Sequence, residues 1–234
     1  MIKTIALDYG NVLARPASGD WMLPKNLGEI LGLGNTMKFL KSVGKMKGLM
    51  EEGMAYLGGC HKLTTEEEEF AQFKEFYRIV FGGCGITKGL DGICEQMAQM
   101  TVYSSKNVLF FDDAVTGIEA LRERYKVIVI SDTWPSVKRT LTESGVYPLL
   151  DGLVISCDHG LVKKDGPRLF EVAMEQYGIE PAECLFVDDS AKNLEQAAGL
   201  GFHVALMDRD GKAEESAYYV VGDLAGVLAR AGEL

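Results

Sequence analysis

The apolar run at residues 2–7 (IKTIAL) stops at an aspartate, Asp8, and the next strand-like run does not begin until Val127. From there the rhythm quickens, with runs at 127–130, 153–155, 184–187 and 203–206 and a weaker one at 218–221. Short runs of this kind, rich in β-branched residues and almost continuously apolar, read as strands of a parallel sheet covered on both faces. Helix-like stretches at 136–144, 168–177 and 191–200 lie between them. Strand, helix, strand repetition predicts an open α/β sheet with right-handed crossovers. The long first gap does not fit one crossover, and a structureless loop of that length is not expected inside a compact domain. The reading is therefore an α/β core made of residues 1–15 and 106–234, with a mostly helical unit inserted over 16–105.

The content of the insertion agrees. Residues 27–33 and 37–50 carry apolar positions at helical intervals, and 64–81 reads as a strong helix. Thr64 or Thr65 can cap that helix, and Glu66 to Glu69 fall in its first turn, where the dipole favours acids. The four glutamates are accordingly read as a solvated helix start rather than a metal site. Met22, Met37, Met46, Met50 and Met54 are read as core filling, with an adaptable pocket wall as the alternative.

Composition narrows the class. The 234 residues are 47% apolar, enough for a sizeable core, and the net charge of −10 disfavours nucleic acid and anionic membrane as partners. A small phosphorylated substrate would also be repelled unless its pocket were locally positive. The five cysteines are odd in number and form no C-x-x-C pair, which fits reduced thiols in the cytoplasm. Cys60-His61 and Cys157-Asp158-His159 are Cys/His neighbours, but no complementary ligand pair stands at zinc spacing. The opening reads as a strand and turn rather than a signal peptide, and no apolar run reaches the roughly eighteen residues of a membrane span.

Polar groups recur where the strands stop. Asp8 ends the first run, Ser131 the second, and Asp188 and Asp189 the fourth; Lys163 or Lys164 follows the third. Open parallel sheets place their ligands at these carboxyl ends. With strand order 3-2-1-4-5, Asp8 faces Asp188 and Asp189. Three converging carboxylates repel one another and call for a cation, and an all-oxygen set suits Mg²⁺. A carboxylate beside such an ion can attack phosphorus, and a hydroxyl and a lysine can hold the phosphoryl oxygens.

These motifs, in this order, resemble the haloacid dehalogenase superfamily, in its subfamily with a helical cap inserted after the first motif. The resemblance covers nearly the whole chain and is strongest over 127–202, in ISDTWPSV, KKDGPRLF and LFVDDSAKNLEQAAGLGF. It implies a Rossmann-like three-layer sandwich and a Mg²⁺-dependent phosphatase of a small phosphorylated metabolite. Asp8 would be nucleophile and metal ligand, the Gly10 carbonyl a further ligand, Asp189 a direct ligand, and Asp188 the residue that orients the metal shell. Ser131 and the Asp132 amide would hold the phosphoryl group. Counting back from Leu169-Phe170 aligns Lys164 with the catalytic lysine, Asp165 then replacing a proline. Asp112 and Asp113 are read as the start of a helix over 114–124. Gly10 stands where most phosphatases of the family carry the general acid, with Asp20 as a candidate substitute. The alternatives are a degenerate protein that binds a phosphorylated ligand or partner without turnover, and a metal-free dehalogenase.

Overall fold

The computed structural model describes residues 1–59, 62–213 and 216–234; Cys60 and His61 lie outside them. The first strand, β1 (Thr4–Leu7), is followed by a tight turn and a short second strand, β2 (Ala14–Pro16). Four helices come next, α1 (Leu27–Lys41), α2 (Val43–Gly59), α3 (Glu66–Gly83) and α4 (Leu90–Tyr103). The strand β3 (Val108–Phe110) then pairs with β2 in a small sheet of their own. The remaining chain alternates: α5 (Ala114–Arg122), β4 (Lys126–Ser131), α6 (Val137–Glu143), β5 (Gly152–Ile155), α7 (Ser156–His159), α8 (Arg168–Tyr177), β6 (Cys184–Asp188), α9 (Ala191–Gly199), β7 (His203–Met207), β8 (Tyr219–Val221) and α10 (Leu224–Glu233). Two compact units result, Met1–Arg15 with Leu109–Leu234, and Pro16–Val108.

The first unit is a Rossmannoid core. Its six-stranded sheet has the order β5-β4-β1-β6-β7-β8, and every neighbouring pair is parallel. The weak run near 218–221 becomes the edge strand β8. The strands of β1, β4 and β6 are almost wholly buried, which is why their sequences lack the alternation of a half-exposed sheet. Leu7 lies opposite Val129 on one side and Val187 on the other, and the Asp8 amide donates to the Val187 carbonyl at 2.9 Å. This register brings the residues just past β1 and β6 side by side. Against the sheet, Phe170 of α8 meets Phe186 edge-on with ring centroids 5.0 Å apart.

The inserted unit is helical. Thr65 caps α3 in a reciprocal box: its hydroxyl accepts from the Glu68 amide, and the Glu68 carboxylate accepts from the Thr65 amide, both at 3.2 Å. The glutamate run is not solvated throughout. Glu69 is buried, because it stands four residues before Phe73 on the face that also carries Phe76, Tyr77 and Val80. Tyr77 anchors that face, its hydroxyl 2.7 Å from the Met22 carbonyl and its ring stacked on Phe81. The expected helix over 37–50 is interrupted at Ser42, whose hydroxyl donates to the Lys38 carbonyl at 3.0 Å and whose amide closes α1. The five methionines read as core filling are not buried: Met37 and Met54 are exposed, and Met22, Met46 and Met50 are half-buried. Among the described residues no helix is long and apolar enough to cross a membrane.

Close packing at the edge of the core gives a direct test. A Cβ on Gly152, the first residue of β5, would lie 2.5 Å from the Tyr177 ring and 2.9 Å from Ile128. Tyr177 also accepts the Leu153 amide at 3.1 Å. Gly152→Ala should therefore destabilise the fold by about 1–3 kcal/mol through overpacking. Urea titration followed by circular dichroism would measure it; a change within about 0.5 kcal/mol would contradict this account.

Candidate active site

The carboxyl ends of β1 and β6 deliver Asp8 and Asp188, both buried, and Asp189 follows at the exposed rim. One carboxylate oxygen from each of the three lies within 4.8 Å of the other two. Between the two buried acids sits the ammonium of Lys163. Its Nζ donates to Asp8 Oδ1 at 2.7 Å, to Asp188 Oδ2 at 2.6 Å and to the Ile130 carbonyl at 3.3 Å, and it lies 5.5 Å from the Phe186 ring centre. Lys163 is only 1% exposed, whereas Lys164 faces solvent.

The lysine at the carboxylates is therefore Lys163 and not Lys164. Counting back from Leu169-Phe170 misses the residue because the turn is longer than that pattern supposes. The chain makes a 3₁₀ turn over Lys163–Asp165 and then passes Gly166 at φ 136°, a conformation open to glycine. The Asp132 carboxylate fixes the start of that turn by accepting the Lys163 amide at 3.0 Å. Lys164, rather than Asp165, then stands in the place of the usual proline.

Charge explains how three polar groups tolerate burial. Burial disfavours the Lys163 ammonium, but the charges of Asp8 and Asp188 and their hydrogen bonds outweigh it and hold the lysine above its ordinary range. For Asp188, burial and then the neighbouring Asp8 charge push the carboxyl up to about 7, against the pull of Lys163. Asp188 is also held by protein donors on both oxygens. The Ser190 amide donates to Oδ1 at 2.8 Å, and Asn193 Nδ2 reaches Oδ1 at 3.2 Å and Oδ2 at 3.0 Å. Asp189 accepts from Asn11 Nδ2 at 2.8 Å. Asn11 has a left-handed φ of 54° within the turn that follows Asp8.

Ser131 is buried at the end of β4, beside β1 in the sheet, and Asp132 follows it. Ser156 ties the next residue down, accepting the Thr133 amide at 3.0 Å and donating to the Thr133 carbonyl at 3.1 Å. Gly10 lies in the Asp8 turn, bridged to Ala14. Asn11, Asn193 and Ser156 were not among the residues read from sequence. Asn193 sits five residues past Asp188, so a first-turn amide facing back toward the preceding strand end was its available signal. Asp20, the candidate substitute acid, caps its own loop by accepting the Met22 and Leu23 amides at 2.7 and 3.1 Å. Asp113 stands at the N-terminal cap position of α5, as the sequence reading expects, but its carboxylate makes no capping bond to that helix; it pairs with Arg209 and accepts the Leu224 amide.

Residues 65–201, more than half of the chain, match the family described as haloacid dehalogenase-like hydrolase. The chain belongs to this family. The hydrolase is also 41% identical over 59 residues to mouse acyl-CoA dehydrogenase family member 10, a match that spans 5% of that protein and 25% of this chain. It is 28% identical over 112 residues to (S)-2-haloacid dehalogenase 4A of Burkholderia cepacia, spanning 48% of that protein and 47% of this chain. Its fold is similar to that of a HAD phosphatase from Thermococcus onnurineus, with TM-score 0.64, 17% identity and 99% and 98% of the two chains covered. L-2-haloacid dehalogenase from Xanthobacter autotrophicus is similar as well, with TM-score 0.65, 19% identity and 98% and 99% covered.

The two lysines separate cleanly by experiment. Lys163→Met leaves two buried carboxylates without their cation and should cost about 3–5 kcal/mol at neutral pH. Lys164→Ala should change stability by less than about 0.5 kcal/mol. The Lys163→Met deficit should shrink as pH falls toward about 7: Asp188 stands at about 7 with the ammonium beside it and rises further without it, so the variant takes up a proton first and loses one of its unpaired charges. Denaturant titrations of both variants and the wild type at pH 7 and 9 would check this, and a larger loss for Lys164→Ala would overturn the assignment.

Proposed function

We propose that this hydrolase is a Mg²⁺-dependent phosphatase of a small phosphorylated metabolite, acting through an aspartyl-phosphate on Asp8. The observation that carries the reading is the convergence of the Asp8, Asp188 and Asp189 carboxylates on one another, with a single ammonium bound to the first two. Three acids against one base leave negative charge that a divalent cation would offset, and an all-oxygen donor set fits Mg²⁺. Both oxygens of Asp188 already accept protein hydrogen bonds, which favours an orienting role. Exposed Asp189, with Asp8 and the Gly10 carbonyl, would then supply the direct ligands. Bound there, the ion would shield Asp8 from the phosphoryl charge and polarise a phosphoryl oxygen.

The side chains perform the rest. An Asp8 oxygen attacks phosphorus in line, forming the Asp8 acyl-phosphate as the bond to the leaving oxygen breaks. Lys163 holds Asp8 in place, with the Ser131 hydroxyl and the Asp132 amide read as donors to the transferring oxygens. Water then attacks the same phosphorus, its protons stay with the released phosphate, and Asp8 returns as carboxylate. The inserted helical unit is read as the family's cap.

The relation to 2-haloacid dehalogenases supports a second reading, in which Asp8 displaces halide and Lys163 alone balances the charge. The retained acid pair Asp188-Asp189 favours the phosphatase. Turnover of p-nitrophenyl phosphate should require Mg²⁺ and vanish with EDTA, and Asp8→Asn should lower it by roughly 10³-fold or more while keeping the fold. Halide release from a 2-haloacid without metal, together with inertness toward phosphate esters, would establish the dehalogenase instead.

Gly10 shapes the substrate range. Without a carboxylate at that position the leaving oxygen departs unprotonated by it, so rates should fall steeply as leaving-group pKa rises. Gly10→Asp should raise kcat/KM on alkyl phosphates by roughly 10²-fold or more while changing aryl and anomeric phosphates little. A flat wild-type profile under rate-limiting chemistry would show that another group supplies the proton.

A further inference from the structure

Arg209, in the loop after β7, is nearly buried, with 8% of its side chain exposed, and none of the chemistry above uses it. Its guanidinium lies 4.3 Å from the Phe111 ring centre. Nη1 reaches both Asp113 oxygens at 2.9 and 2.8 Å. The opposite edge is spent on one backbone atom: Nη2 and Nε donate to the Val12 carbonyl at 2.6 and 3.2 Å. An ion pair with Asp113 would need neither contact. The planar fork of arginine is what lets a single side chain serve a carboxylate and a carbonyl together.

Val12 lies in the middle of the turn that follows Asp8. Inside that turn the Leu13 and Ala14 amides donate to the Tyr9 carbonyl at 3.0 and 3.1 Å, and the Asn11 amide donates to Ala14 at 2.7 Å. Asn11 itself sits at φ 54°, a left-handed conformation that asparagine tolerates better than most other non-glycine residues. From there its side chain reaches Asp189. A continuous series of contacts thus runs from Asp113 and Arg209, through Val12 and the turn, to Asn11 and Asp189.

We propose that Arg209 is a positioning residue for the active site: by clamping the Val12 carbonyl against Asp113 and Phe111 it fixes the turn that carries Gly10 and Asn11, and so sets Asn11 against Asp189. Only the metal readout below rests on the Mg²⁺ reading of the site.

The test uses the full chain. Arg209→Met combined with Asp113→Asn removes the guanidinium without leaving a bare carboxylate, and Arg209→Lys keeps a cation beside Asp113 but cannot span both partners. Amide hydrogen exchange of the metal-free protein should accelerate roughly tenfold or more at Asn11 and Leu13 in both variants, with Ile128 and Phe186 of the sheet unchanged. Calorimetric titration with Mg²⁺ should show roughly tenfold weaker binding. In an Asn11→Gly background, where the link to Asp189 is already cut, the same Arg209 changes should weaken Mg²⁺ binding little further. Unchanged protection in the turn, protection lost equally throughout the sheet, or full additivity with Asn11→Gly would each overturn the proposal. If the wild-type protein binds no Mg²⁺, the metal reading fails separately and hydrogen exchange alone decides the role of Arg209.

Discussion

The site depends on the Lys163 ammonium lying between Asp8 and Asp188. Adjacent parallel strands in register bring two carboxylates together at their ends, where burial and mutual repulsion both oppose charge. Taking an ion out of water costs several kcal/mol, and an ion pair offsets that only when its remaining hydrogen-bonding capacity is met. Here it is largely met. Lys163 has three acceptors, and Asp188 has donors from Lys163, Ser190 and Asn193. Removing any member would expose the others to the full cost of burial, so the polar centre behaves as one unit.

The scaffold serves that centre by holding chain ends rather than surfaces. Asp8 and Asp188 leave the sheet from neighbouring strands, Lys163 arrives from the connection after α7, and Asn193 projects from the first turn of α9. Each belongs to a different segment, so their relative positions are fixed by strand pairing and helix packing and not by any local motif. The Asp132 carboxylate and the Ser156 hydroxyl brace the loops between them. Rigid supports of this kind are what electrostatic stabilisation of a charged transition state requires, since the dipoles need not reorganise during reaction.

Structures of similar fold include a HAD phosphatase and a 2-haloacid dehalogenase, and the two proposed readings differ in one physical respect. On either proposed reading Asp8 attacks an electrophilic centre and a cation balances its charge. What differs is the charge of the substrate. A phosphoryl group brings further negative charge to Asp8, and one lysine cannot offset it together with Asp188 and Asp189. A haloacid is attacked at carbon, where the demand for positive charge is smaller. The second acid at the rim, Asp189, held by Asn11, is therefore the feature on which the two proposed readings divide.

The parallel sheet and the insertion after the first strand were legible in the order of apolar runs, because a buried parallel strand must be almost continuously apolar and each crossover needs a helix; the family was legible only through the resemblance of the ordered motifs at the strand ends. Asp8, Ser131, Asp188 and Asp189 were legible for the same reason: a polar group where such a run stops lies at the sheet's carboxyl end. The choice between Lys163 and Lys164 was not, because it turns on a 3₁₀ turn and on Gly166 at positive φ, and one residue of phase in a loop reverses which side chain points inward. Burial of Glu69, the exposure of Met37 and Met54, and the Arg209 contact with Val12 escaped as well. Periodicity reports what an element hides from water. Which charged partner arrives from a distant segment is decided only when the chain closes and every buried charge has to be met.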